Sequence, residues 1–77
     1  MNKDNNLKKY SINGWDYHGH HSTSEFVATL EEAIKKWEVE CIHSYGSCTL
    51  YECPNGFRNS CQTISEAGYI VIRDNGK

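Results

Sequence analysis

The segment Thr29-Leu30-Glu31-Glu32-Ala33-Ile34-Lys35-Lys36-Trp37-Glu38-Val39-Glu40-Cys41 constrains the fold of this chain more than any other. Thr29 followed three residues later by Glu32 is a capping box: the hydroxyl accepts from a free amide of the first turn while the carboxylate reaches back to the cap. A helix therefore begins at residue 30. Leu30, Ala33, Ile34, Trp37 and Cys41 recur at the spacing of one helical face, and Glu31 to Lys35 and Glu32 to Lys36 make two i,i+4 pairs on the other side. A second capping box, Ser22-x-x-Glu25, would start the helix earlier and add Phe26 and Val27 to the stripe. The alternation that puts Phe26 and Ala28 on one face favours a strand over residues 24–28 instead.

Strand and turn signals surround this helix. Leu7 to Tyr17 alternates, with Tyr10 and Ile12 on one face and Ser11, Asn13, Trp15 and Tyr17 on the other, and Gly14 is the expected place for a bulge. His18-Gly19-His20-His21-Ser22-Thr23 reads as the turn of a first hairpin. After the helix, Ser44-Tyr45-Gly46-Ser47 is turn chemistry and Cys48 to Cys53 has the β-branched and aromatic content of a strand. Pro54-Asn55-Gly56 then predicts a reversal, Phe57 to Ile64 a partner strand and Ser65-Glu66-Ala67-Gly68 another turn. Tyr69 to Arg73, apolar on both faces, reads as a central strand covered on each side. The prediction is an α+β fold, ββαββ-like, with a single helix packed on an antiparallel sheet of four or five strands. It forms one small domain over residues 1–77, with residues 1–6 as a loose polar lead.

A chain of 77 residues hides only a modest core, and five Tyr, two Trp and two Phe supply its large burial units. No run of about 18 apolar residues is present to span a membrane, and the N-terminus lacks the apolar stretch of an export signal. The chain is thus expected in the cytoplasm, where its four cysteines read as free thiols. Between residues 16 and 52, seven acids (Asp16, Glu25, Glu31, Glu32, Glu38, Glu40 and Glu52) face only Lys35 and Lys36. The eight Lys and Arg are scattered rather than clustered, which disfavours direct nucleic-acid binding. A helix face carrying Glu31, Glu32 and Glu38 instead suits a basic partner surface, through electrostatic steering.

Two groups of side chains invite a functional reading. Cys41, His43, Cys48, Cys53 and Cys61 are soft or borderline ligands, and a zinc-stabilised module using them is one alternative. Their spacing lacks the paired knuckles of structural zinc sites, and residues 48 and 53, an odd number apart, would face opposite ways on one strand. The plainer reading is four small buried hydrophobes. A hairpin turning at Asn55-Gly56 would bring Cys48 and Cys61 opposite each other as the pair to bond. The second group is His18, His20 and His21 beside Trp15, Asp16 and Tyr17. Flanking Gly19, His18 and His20 offer a metal or pH-sensitive contact. With exposed Trp and Tyr beside them, the group reads more naturally as the anchor of a protein interface.

Enzymatic constellations are thin. There is no G-x-S-x-G, P-loop, H-E-x-x-H or G-x-G-x-x-G, and adjacent Glu31 and Glu32 diverge on the helix surface. Neither catalysis nor a cofactor is expected.

The layout of Trp15-Asp16-Tyr17-His18-Gly19 on a strand, a short strand, the opening Leu30-Glu31-Glu32-Ala33-Ile34 and further strands resembles small accessory proteins of bacteriophages and mobile elements, anti-CRISPR proteins among them. That resemblance implies a non-enzymatic inhibitor that binds a host protein or complex by surface complementarity, in the host cytoplasm. It carries over no functional residue. A third reading is a small dimerising subunit in which an uncovered sheet edge pairs with its own copy.

Overall fold

The computed structural model describes residues 7–15 and 18–76. Four strands and two helices follow in the order β1 (Lys8–Trp15), β2 (His21–Ala28), α1 (Leu30–His43), β3 (Cys48–Glu52), α2 (Ile64–Ala67) and β4 (Ile70–Asp74). The strands form one antiparallel sheet in the order β2-β1-β3-β4, and α1 packs across one of its faces. The predicted α+β fold is therefore the fold adopted.

The capping box at the start of α1 forms in full. The Glu32 N–H donates to Thr29 Oγ1 at 3.2 Å, and the Thr29 N–H donates to Glu32 Oε1 at 3.1 Å. With the Glu32 carboxylate committed to the cap, Lys36 places its ammonium over the Phe26 ring, 5.4 Å from the centroid. Of the expected stripe, Ala33 is buried and Ile34, Trp37 and Cys41 pack against Tyr10, Ile12, Cys48 and Leu50. Leu30 departs from it: at the first helical position it stays half exposed.

Pleating explains the core. Tyr10, Ile12 and Gly14 of β1 lie level with Glu52, Leu50 and Cys48 of β3, so every second residue of both strands turns toward α1. Gly14 is needed there for space and not for a bulge, because the ladder to β2 runs unbroken through it and the ladder to β3 reaches it without a shift. A Cβ on Gly14 would stand 2.8 Å from Ser44 Oγ, where the chain leaves α1.

Three expectations for the C-terminal half fail. Residues 57–63 pair with no strand, so Cys48 and Cys61 are not brought opposite each other: Cys48 lies level with Gly14 and is buried, and Cys61 is exposed. Residues 64–67 are helical because Thr63 and Glu66 form a second complete capping box, closed at the far end by Gly68 at φ 77°. β4 is an edge strand and not a central one. It pairs with β3 alone, its register breaks opposite Leu50 and Tyr51, and Ile70 and Val71 are exposed. Its position follows from tertiary pairing: the central places are already taken by β1 and β3.

Candidate functional site

Trp15 ends β1 on the sheet face opposite α1, yet its backbone is pinned on both sides. Its N–H donates to the Ser47 carbonyl at 3.3 Å, and its carbonyl accepts from the Tyr45 N–H at 2.9 Å. The 44–47 loop that supplies these partners is itself fastened by Asn75. The Asn75 Nδ2 donates to the Gly46 carbonyl at 3.0 Å, and its Oδ1 accepts from the Cys48 N–H at 3.1 Å. Gly46 lies against the base of the indole, where an added Cβ would meet Trp15 Cβ at 3.4 Å. The ring leans on His21, directly opposite in β2, with centroids 5.1 Å apart and planes at 54°.

Trp15 is nevertheless 44% exposed. His18, His20 and His21 are exposed beside it, the first two with ring centroids 6.2 Å apart, and Gly19 between them turns the chain at φ 81°. Asp16 and Tyr17 lie outside the described residues. Below this apex, Thr23 donates its hydroxyl to Asn13 Oδ1 at 2.8 Å on the same sheet face. Tyr45, 71% exposed and bonded through its backbone to Trp15, extends the aromatic surface. Nothing in the sequence separates Tyr45 from an ordinary turn residue, and Asn75 reads as part of a polar tail.

Glu31, Glu32 and Glu38 are all exposed on α1. The structure does not gather them at the apex. α1 starts beside Ala28, at the end of β2 remote from His21, and it lies on the opposite sheet face from Trp15. Glu31 and Glu32 in the first turn therefore sit about 20 Å of helix away from the 44–47 loop.

The cysteines occupy different environments. Cys41 and Cys48 border the α1-side core, Cys53 is buried just beyond β3, and Cys61 is exposed, while His43 is exposed in the last turn of α1. Among the described residues, no three His, Cys, Asp or Glu side chains converge as a metal-binding group. The Tyr69 hydroxyl accepts from the Arg58 N–H at 2.8 Å. Burial pushes both Cys53 and Tyr69 above their ordinary values, which keeps the thiol protonated, the reverse of what an activated nucleophile requires. An open groove of about 530 Å³ runs between Lys8 and Lys9 and the Pro54-Asn55-Gly56 turn, with Lys8 paired to Glu52 at 3.8 Å. Its two ammonium groups are countered by that carboxylate and by the Phe57 ring, 5.8 Å from Lys9 Nζ.

Among the described residues, no helix is long and apolar enough to cross a membrane. No family model, curated protein or solved structure matches this chain.

Proposed function

We propose that this chain is a small non-enzymatic binding protein that engages another protein through the apex formed by Trp15, His18, His20 and His21. The observation that carries the reading is the half-exposed indole of Trp15 on a backbone hydrogen-bonded at both its N–H and its carbonyl. An exposed Trp normally loses rotamer freedom when a partner covers it. Here the indole already rests on the His21 ring and its base against Gly46, so part of that entropy has been lost in folding, which is how preorganised anchors gain affinity. Asp16 and Tyr17 belong to the same proposed surface by sequence. Glu31, Glu32 and Glu38 serve at a distance, steering a basic partner toward the molecule without touching it at the apex.

The resemblance to phage and mobile-element proteins sets the class of partner within this proposal: a host protein or complex, inhibited by occlusion. The experiment compares the intact chain with a Trp15→Ala, Tyr17→Ala, His20→Ala variant in affinity capture from host lysate. Circular dichroism first establishes that both are folded. A specific protein that co-purifies with the wild type, binds it again when purified, and is lost with the variant supports the reading. Equal capture by both overturns the apex as the contact surface.

A further inference from the structure

The two edges of the sheet are unlike. β4 is five residues long, its register shifts between the partners of Leu50 and Tyr51, and it ends on Arg73 and Asp74. Shortness, irregularity and charge are the usual protections of an edge. β2 has none of them. It pairs with β1 in unbroken register over eight residues, contains no Pro, Lys or Arg, and carries one charge, Glu25. α1 packs chiefly over β3 and β1 and least against β2, where Lys36 stands over the Phe26 ring, and among the described strands β2 pairs with β1 alone.

We propose that β2 pairs antiparallel with β2 of a second copy, about a two-fold axis through Ser24, to give a continuous eight-stranded sheet. Pleating and charge select this register. Residues directly opposite in a sheet share a face, so a two-fold axis perpendicular to the sheet must pass through a residue and not between two. Centres at Ser24 and at Glu25 each pair seven residues of β2, whereas any other centre pairs fewer. Centring on Glu25 sets the two carboxylates directly opposite each other, about 5 Å apart by Cβ, which is unfavourable. Centring on Ser24 moves them to diagonal positions about 7–8 Å apart and places each Glu25 opposite Thr23 of the other copy. Val27, exposed on the same face as Trp15, then meets the second copy's His21. On the α1 side, Phe26 meets the second copy's Ser22.

This register makes a charge test specific. Thr23 is exposed and bonded only to Asn13 among its described hydrogen bonds, so Thr23→Glu and Thr23→Lys lose the same contact within one copy. Across the axis they differ in sign, because position 23 faces Glu25 twice. Sedimentation equilibrium of the intact wild-type chain over a wide concentration range is expected to show a reversible species of twice 8.8 kDa. Thr23→Glu is expected to raise the dimer dissociation constant roughly two- to thirtyfold and Thr23→Lys to lower it by a similar factor, from two cross-strand charge pairs. A wild type that stays monomeric to about 1 mM, including one whose edge takes up only another protein's strand, overturns the proposal. So does a dimer that both variants shift in the same direction or leave unmoved.

Discussion

Trp37 donates its indole N–H to the carbonyl oxygen of Cys48 at 3.0 Å, joining the middle of α1 to the first residue of β3. The same carbonyl accepts the Asn75 N–H at 3.2 Å, and the Cys48 N–H donates to Asn75 Oδ1. One residue of a central strand thus receives the helix from one side and the end of the chain from the other. Trp37→Phe keeps most of the apolar contact with the core and removes this donor. Because Cys48 retains Asn75, the loss is a hydrogen bond and not an orphaned carbonyl, and stability should fall by about 0.5–1.5 kcal/mol. Urea unfolding followed by far-ultraviolet circular dichroism measures it; an unchanged midpoint would show that the bond contributes nothing net.

Gly14 should tolerate a methyl group only when Ser44 gives way. Gly14→Ala is expected to cost about 1–3 kcal/mol through overpacking against Ser44 Oγ, and Gly14→Ala with Ser44→Ala to recover part of that. Additive losses in the double-mutant cycle would place the strain elsewhere.

The two capping boxes differ in what depends on them. Thr29→Ala should destabilise the whole domain by about 1 kcal/mol, because α1 covers the core. Thr63→Ala removes the same kind of bond from a helix of four residues, so its main effect should be faster hydrogen exchange at the amides of Ala67 and Gly68. Equal global losses from both variants would contradict this division.

Alkali should unfold the protein. Burial is the main cause that holds Tyr10 and Tyr69 above their ordinary value of 10.0 and Cys53 above 9.0. The unfolded chain releases these protons first, so above about pH 9 it binds fewer protons than the folded chain and stability falls as pH rises. Below that range both states keep them, and these three groups contribute no pH dependence. Urea midpoints should be level at about pH 7 and 8 and drop toward about pH 11, with a shallower drop in Tyr69→Phe. A rising midpoint would reverse the assignment.

α1 was legible in the sequence because three signals coincide there: a capping box, a 3.6-residue stripe and a length that no strand shares. α2 carries the same Thr-x-x-Glu signature at Thr63 and Glu66, but four residues cannot display a period, and Pro54-Asn55-Gly56 just upstream reads as a hairpin. The turn is real, with the Gly56 N–H on the Cys53 carbonyl and φ 90°, but residues 57–63 beyond it form no strand. Tyr69 stands against Tyr51, 5.8 Å between centroids. The apolar run of β4 named a strand correctly and its rank in the sheet wrongly, since residue content records burial demand and not which neighbour arrives first. At the apex, the aromatic and imidazole content was visible. The fastening of Trp15 by Tyr45, Ser47 and Asn75 was not, because backbone bonds between distant segments leave no trace in residue type.

The irregularity in β4 has a consequence for how far copies of this molecule can add to one another. A sheet with both margins open can recruit neighbours without end and grow into a filament. With one margin spoiled by the slip beside Leu50 and Tyr51, the proposed addition through the other would terminate after a single step, so a high local concentration would yield pairs and leave the solution clear.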